Sequence, residues 1–304
     1  AAAYALISYQ TAWLKAHYPA EFMAATMSSE LTDTDQLKLF YEDALANGIT
    51  FLPPDINESD YLFTPDGERH IRYALGAVKG VGEGAVQSIV EARQDGRFRD
   101  LFDFCERVGK QHANRRVLEA LIRGGAFDSI EPNRAMLLGN IDLAIAQAEQ
   151  KADNANQGGL FDMVEDALAD VPLQYIEPWN EATKLAEEKQ AIGFYLSGHP
   201  FAPYASEVRA FAPTPLGSLK AKDGTQRLAG FATSIRSIMT KNGKMIALLL
   251  EDDTAKQEVI IRSDLLDGIP KETLKADQIL ICDCTVREDR FNPDGGMRIN
   301  VTNI

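Results

Sequence analysis

Apolar residues at helical spacing dominate the first half of the chain. They recur every three or four positions over residues 1–15, 37–44, 81–89 and 117–122, which is the period that gives a helix one buried face. Asp33 precedes the second of these runs, where a carboxylate can cap a helix. We therefore expect a helical N-terminal part, with Asp33 as a helix cap rather than a metal ligand.

From Leu228 onward the hydrophobic period shortens to two, which is typical of strands with one buried face. A helix is predicted from Ser263 to about Leu274. Five strands are predicted, at residues 230–239, 245–251, 258–262, 278–286 and 297–301. Three strands, a helix and two more strands match an OB-fold barrel. The predicted fold class is α+β multidomain, a helical N-terminal part followed by a five-stranded OB-fold β-barrel.

A glycine-rich turn at residues 79–84 lies directly before an apolar helical pattern. Glycine permits positive φ and close approach of a ligand, and the following helix directs free N–H groups and its dipole toward the turn. These features predict a backbone phosphate site, formed by Lys79, Gly80, Val81, Gly82 and Gly84. The spacing fits neither a P-loop nor a dinucleotide fingerprint. We interpret the turn as a helix-hairpin-helix motif; the alternative is a tight turn between packed helices.

A second hairpin is predicted at Gly124-Gly125, where an apolar helix that Asn114 can cap comes to its end. Two such turns would supply backbone N–H groups that follow the phosphates of one groove. Three arginines are candidate phosphate contacts or, alternatively, solvated charges on a helix face: Arg115, Arg116 and Arg123.

The charge distribution favours local rather than general contact with nucleic acid. The chain of 304 residues has a formal net charge of −14, which argues against a nucleic-acid coat. Residues 67–130, which hold the glycine turns, carry 11 Lys and Arg against 9 Asp and Glu, a net charge of +2. Any contact with nucleic acid is therefore expected near the turns.

The three cysteines form no disulfide framework, which fits a reducing cytoplasm. Cys282 and Cys284 alternate along a predicted strand and are expected to face the core, since no further Cys or His completes a zinc set. No catalytic residue, metal site, membrane span or signal peptide is predicted. His199, in a turn, is expected to pack rather than to catalyse.

Gln157, Leu160 and Phe161 stand in a polar, glycine-containing and acidic stretch. Two large apolar residues in such a setting are typical of a docking peptide. The alternative is a local anchor that folds the loop back onto the body of the protein.

An OB-fold barrel usually binds single-stranded nucleic acid through basic grooves and stacked aromatic rings. The candidates for such contacts are Phe231, Arg236, Lys241, Lys244, Arg262, Arg287, Arg290 and Phe291. The barrel segment has a net charge of −2, so we expect weak binding. A protein-docking barrel or a purely structural one remains the alternative.

Four stretches together resemble the alpha subunits of bacterial DNA polymerase III, the C-family replicative polymerases. They are residues 1–25, 71–82 (IRYALGAVKGVG), 114–128 (NRRVLEALIRGGAFD) and 193–201 (GFYLSGHPF), in the order of the family. The resemblance covers nearly the whole chain. It implies the end of the fingers at 1–66, a tandem helix-hairpin-helix unit at 67–150, a linker at 151–170, a helical connector at 171–227 and the OB-fold at 228–304.

The resemblance further implies that Gln157, Leu160 and Phe161 bind the bacterial sliding clamp, and that the hairpins hold duplex DNA behind the polymerase active site. The order of hairpins, peptide and barrel resembles one of the two branches of the family. The chain is expected to be an excised C-terminal fragment, inactive alone, because the paired carboxylates of the palm lie upstream in the family.

The resemblance also implies that the parent polymerase uses Mg²⁺ and contacts other replicase subunits, while no cofactor is expected in this fragment. Two alternatives stay open. One is a free-standing repair or recombination scaffold that shares hairpin and barrel modules, and the other is an error-prone paralogue of the replicative enzyme.

Overall fold

A computed structural model describes residues 2–156, 172–240, 243–266, 268–270, 273–288 and 296–304. The chain divides into two compact units, Ala1–Ser197 and Gly198–Ile304. The connector predicted over residues 171–227 is thus divided between the two units. Within the described part of the chain, no helix is long and apolar enough to cross a membrane.

The first unit is mainly helical. Its helices are α1 (Ala2–His17), α2 (Pro19–Ser29), α3 (Thr34–Ala46), α4 (Glu83–Ala92), α5 (Leu101–Val108), α6 (Arg115–Arg123), α7 (Arg134–Gly139), α8 (Ile141–Asn156) and α9 (Glu181–Ile192). Between α3 and α4 lies a small sheet, in which β3 (His70–Arg72) pairs parallel to β1 (Thr50–Leu52) and antiparallel to β2 (Thr64–Pro65). The predicted helical N-terminal part is confirmed.

Side-chain caps explain where several of these helices begin. The carboxylate of Asp33 accepts hydrogen bonds from the backbone N–H groups of Asp35 and Gln36 at 3.1 and 3.0 Å, which confirms the predicted cap on α3. Asn114 caps α6 in the same way, through the N–H of Val117 at 3.1 Å.

The core of the first unit lies beneath α4, α5 and α6. Phe104 is fully buried and packs edge-on against Phe127, with 5.0 Å between ring centroids. In contrast, α1 exposes large apolar side chains, including Tyr4 at 79% and Trp13 at 42%. The packing therefore concentrates around the hairpin helices and becomes sparse toward α1.

The second unit contains a closed five-stranded barrel with the strand order β4-β5-β6-β8-β7. Its strands are β4 (Lys222–Thr240), β5 (Gly243–Glu251), β6 (Lys256–Ile261), β7 (Ile279–Glu288) and β8 (Met297–Asn303). Its helices are α10 (Ala205–Phe211), which precedes the barrel, and α11 (Ser263–Leu266), between β6 and β7. Since β6 and β8 pair parallel and the other pairs are antiparallel, the barrel has the predicted OB-fold topology.

Two predicted boundaries in the barrel are wrong. The first strand begins at Lys222, before the predicted start at Gly230, and α11 ends at Leu266 rather than near Leu274. The early part of β4 is exposed on both faces, so its sequence shows no hydrophobic alternation.

Alternating strand residues fill the barrel, among them Cys282 and Cys284, which are both fully buried. Burial raises the pKa of the Cys282 thiol to about 12, so the thiol stays neutral at ordinary pH. The prediction that the two cysteines face the core is confirmed.

His199 is held in a turn beside the end of β5. Its Nδ1 accepts a hydrogen bond from the N–H of Phe201 at 3.1 Å, and its Nε2 lies 3.3 Å from a carboxylate oxygen of Glu251. Both ring nitrogens are thus engaged in structural contacts, which confirms the predicted packing role.

Candidate nucleic-acid interface

The first hairpin turn forms as a backbone structure before α4. A one-turn 3-10 helix at Leu75–Ala77 leads into it, and Gly82 is the N-cap residue of α4. Gly80 has a φ of +90°, which favours glycine, whereas Gly82 has an ordinary φ of −89°. Val81 is 6% exposed and anchors the turn on the core. The turn therefore presents its backbone, not its apolar side chain, to the outside.

The N-terminus of α4 offers uncommitted donors. The N–H groups of Ala85 and Val86 donate to the carbonyl of Gly82 at 3.1 and 3.2 Å. Those of Gly82, Glu83 and Gly84 donate to no acceptor among the described residues, and all three residues are exposed. Together with the positive end of the helix dipole, these donors suit an anion.

The second hairpin lies elsewhere than predicted. It joins α5 to α6 through residues 109–114, where Gly109 has a φ of +79° and its carbonyl accepts the N–H groups of His112 and Ala113. Asn114 then caps α6. The tandem unit is therefore formed by two turns that each precede a helix N-terminus.

Gly124 and Gly125 must be reassigned, because both are buried and their N–H groups bond to the carbonyls of Ala120 and Ile122 at 2.9 and 3.0 Å. They have no free donor for a phosphate. A Cβ atom at Gly124 would stand 3.5 Å from the side chain of Val78, and one at Gly125 would overlap the guanidinium of Arg134. These glycines permit close packing instead.

The two hairpin turns lie side by side. A Cβ atom at Gly80 would stand 3.4 Å from Nε of Arg116, and one at Gly84 would stand 3.6 Å from Cε1 of His112. Residues of the second hairpin thus border the first turn. Sequence reasoning missed His112 as a site residue, because it lies in a polar turn without a glycine pair.

The three predicted arginines differ in their availability. Arg115 forms ion pairs with Glu119 at 2.8 Å and Asp142 at 2.5 Å. Arg123 pairs with Glu187 at 3.0 Å. Arg116 is exposed and forms no ion pair or hydrogen bond within the described residues. Of the three, Arg116 has the free guanidinium that a phosphate contact requires.

Lys79 lies at the other edge of the first turn. Its side chain is exposed, and its backbone N–H donates to the carbonyl of Ala191 at 2.8 Å. The ammonium lies next to Gly193, where a Cβ atom would stand 2.8 Å from Nζ. Arg116 thus borders Gly80 and Lys79 precedes it in the same turn, with Glu83 as the acidic residue in the first turn of the following helix.

The candidate nucleic-acid contacts on the barrel differ in burial and in ion pairing. Phe231 is 7% exposed and belongs to the core, so it cannot stack on a base. Arg236 is paired with Glu258 at 2.5 Å. Exposed basic side chains without an ion pair among the described residues are Lys244, Arg262 and Arg287. Several candidates lie outside the described residues: Lys241, Arg290 and Phe291, together with Gln157, Leu160 and Phe161 of the peptide.

Strands β7 and β8 add a basic residue that the sequence analysis missed. Arg298 stands directly opposite Arg287 in the strand register, and both are exposed. Like charges that face each other across two strands destabilise the strand pairing. An anion that binds both guanidinium groups would relieve this repulsion.

The helix-hairpin-helix motif family matches residues 48–137, the part that contains both turns. The DNA polymerase III subunit alpha of Neisseria meningitidis serogroup B is 65% identical over 98% of this chain. Those of Vibrio cholerae and Escherichia coli K12 are 39% and 38% identical over the whole chain. The chain spans about a quarter of these relatives, 26% of the first and 27% of the other two.

Among solved structures, the second OB-fold domain of replication protein A from Methanococcus maripaludis aligns with 30% of this chain and 89% of its own, at 22% identity and a TM-score of 0.22. The OB-fold assignment depends on the strand order of the barrel itself. The motif resemblance is confirmed along the whole chain, which is similar to a region that makes up about a quarter of the bacterial DNA polymerase III alpha subunit.

Proposed function

We propose that the first unit binds the phosphate backbone of duplex DNA without reading its sequence. The observation that carries this proposal is the position of Arg116 beside Gly80, at the edge of the exposed N-terminus of α4. The match to the helix-hairpin-helix family supports it.

The chemistry of the site suits one or two phosphate groups. Backbone N–H groups of α4 donate to phosphate oxygens, and the helix dipole adds positive potential. Lys79 and Arg116, both exposed, supply point charges at the turn. Since backbone amides and cations contact phosphate rather than base edges, the binding is independent of sequence.

Substitution of Arg116 tests the proposal, with Arg115 as the matched control on the same helix turn. Arg116→Ala is expected to weaken binding to a mixed-sequence duplex and to reduce the slope of log K against log salt by about 1. Arg115→Ala is expected to change that slope little, because its guanidinium is paired with Glu119 and Asp142. Fluorescence anisotropy across a salt series measures both, and equal slopes for wild type and Arg116→Ala would refute the proposal.

We further propose that the barrel binds single-stranded DNA weakly, through Arg287, Arg298, Lys244 and Arg262, of which the last two have no ion pair with any residue that the structure describes. The like-charged pair across β7 and β8 supports an anionic ligand at that place. The burial of Phe231 leaves basic contacts rather than ring stacking as the main attraction.

At the level of the whole polymerase, we propose that this region supports processive, template-directed DNA synthesis. In this proposal the hairpins hold duplex, and Gln157, Leu160 and Phe161 bind the sliding clamp. A tether acts through effective concentration, so a modest peptide affinity suffices. The Mg²⁺-dependent nucleotidyl transfer and the contacts with other replicase subunits are assigned to the complete enzyme.

A further inference from the structure

A buried ion cluster lies behind the first hairpin turn. Arg134 is 4% exposed and donates from Nε and Nη2 to both carboxylate oxygens of Asp128, at 2.8 and 2.6 Å. Its Nη1 donates to the carbonyl of Arg123 at 2.9 Å and lies 3.6 Å from a carboxylate oxygen of Glu188. The cluster thus joins the end of α6 to α9.

Glu188 also holds the chain that follows α9. The side chain is 1% exposed, and its Oε1 accepts the backbone N–H groups of Leu196 and Ser197 at 2.7 and 2.8 Å. A buried carboxylate with this set of donors fixes the path of residues 193–197.

The segment that Glu188 fixes lies against the proposed phosphate site. The carbonyl of Ala191 accepts the N–H of Lys79 at 2.8 Å. Gly193, with a φ of +102°, ends α9 and leaves room for the ammonium of Lys79. The conformation of Lys79 therefore depends on where α9 ends.

We propose that Glu188 and Arg134 are positioning residues that hold the end of α9 as a support for Lys79 in the phosphate-binding turn. This proposal rests on the proposed duplex binding by the first unit. Neither residue touches DNA, since both are buried. They act on Lys79 by fixing the Ala191 carbonyl, which accepts its backbone N–H, and Gly193, which leaves room for its ammonium.

The direction in which DNA affinity changes when Glu188 is substituted distinguishes positioning from long-range electrostatics. Removing a carboxylate makes the chain less negative, which by itself strengthens attraction to phosphate. Positioning predicts the reverse for Glu188→Gln. The glutamine can still accept the two N–H groups, but it presents a neutral amide to Arg134.

The experiment measures duplex affinity of the full chain, with Glu181→Gln as the control. Glu181 is exposed in the first turn of α9, so its substitution removes the same charge from the same helix without touching the cluster. We expect Glu188→Gln to weaken binding and to reduce the salt slope by about 1, as loss of one phosphate contact does. Glu181→Gln is expected to bind at least as tightly as wild type.

Combination with Lys79→Ala tests whether the effect of Glu188→Gln on duplex binding depends on Lys79. If Glu188 acts by positioning Lys79, Glu188→Gln has no further effect in the Lys79→Ala background. An equal loss in both backgrounds, or unweakened binding by Glu188→Gln alone, overturns the inference. Lys79→Ala without effect while Arg116→Ala weakens binding would overturn the inference and leave the proposed function intact.

A second variant covers the case in which Glu188→Gln does not fold, as judged by thermal unfolding without DNA. Gly193→Ala places a methyl group 2.8 Å from Nζ of Lys79 and closer still to Cγ2 of Thr34, so both side chains must move, while the ion cluster is unchanged. We expect Gly193→Ala to weaken duplex binding in the wild-type background and to leave binding unchanged in the Lys79→Ala background. Full affinity in a folded Gly193→Ala protein would contradict it.

Discussion

Neighbouring glycines in this chain serve different physical purposes. Gly80 and Gly125 both have positive φ, but Gly80 lies in an exposed turn while Gly125 is buried against Arg134. In sequence, each belongs to a glycine-containing turn beside an apolar helical pattern, so the two look alike. Burial and the bonded state of the N–H group, which depend on distant residues, decide between a ligand site and a packing site.

The first prediction at this scale concerns Gly125. Gly125→Ala forces a left-handed backbone on alanine and pushes its Cβ into Arg134, so it is expected to cost at least about 1 kcal/mol of stability. Gly82→Ala is the control, since its φ is negative and a Cβ there meets open space, and it is expected to cost about 0.5 kcal/mol. Urea unfolding measures both, and similar losses would contradict the packing role.

The second prediction concerns Glu251 in the second unit. Burial acts to raise the pKa of Glu251, but the hydrogen bond with His199 and the charge of Lys256 lower it overall. A lowered carboxyl pKa adds stability that is present above the unfolded value of about 4.3 and is lost as pH falls through the folded value.

Glu251→Gln is therefore expected to flatten the acid side of the stability profile below about pH 4.3. Urea unfolding at a series of pH values, followed by a signal from the second unit, measures the free energy of unfolding. Glu207→Gln, an exposed substitution on α10, serves as the control and should keep the wild-type slope. An unchanged profile for Glu251→Gln would show that this carboxylate is not linked to folding.

At the scale of elements, the hydrophobic period identified α1, α3, α4 and α6 and all five strands of the barrel. The α6 start was predictable because Asn114 precedes a strongly amphipathic run. The second hairpin was not, since its turn at residues 109–114 is polar, whereas Gly124-Gly125 has the stronger local signal. The start of β4 was missed because residues 222–227 are largely exposed and do not alternate.

The prediction at this scale concerns the pairing of β7 with β8. Arg298→Glu converts two opposed positive charges into an attractive pair with Arg287, which is expected to stabilise the barrel by about 0.2–1 kcal/mol. The same change should weaken binding to single-stranded DNA. Thermal unfolding and anisotropy on one protein sample measure the two effects.

Arg227→Ala provides the control for that experiment, because Arg227 is already paired with Asp283 at 2.7 Å. Its removal should lower stability slightly and leave single-strand binding unchanged. If Arg298→Glu binds single strands as well as wild type, the barrel has no DNA contact at this edge.

At the scale of the whole molecule, charge and modular organisation limit how DNA is held. A net charge of −14 repels DNA overall, so attraction depends on the local set around Lys79 and Arg116. Two cations on two phosphates correspond to a salt slope of about −2, far smaller than that of a basic DNA-coating protein. The proposed role in processive synthesis therefore requires a further tether.

The last prediction tests that tether. Leu160→Ala combined with Phe161→Ala is expected to abolish binding of the chain to the bacterial sliding clamp, because the two apolar side chains would fill the clamp pocket. Surface plasmon resonance on immobilised clamp measures it, with Leu173→Ala as an apolar control outside the peptide. Clamp binding that survives the double substitution would place the contact on another surface.

Gly124 has a consequence for how this sequence can vary. A Cβ atom at Gly124 would stand 3.2 Å from the carbonyl oxygen of Ala120, 3.5 Å from the side chain of Val78 and 3.7 Å from that of Ala191, so side chains at 78, 124 and 191 share one small volume. Such positions change as a set: a larger residue at 124 calls for a smaller one at 78 or 191. Homologous chains should therefore show correlated substitutions at these three places, and a designer who alters one must repack the others.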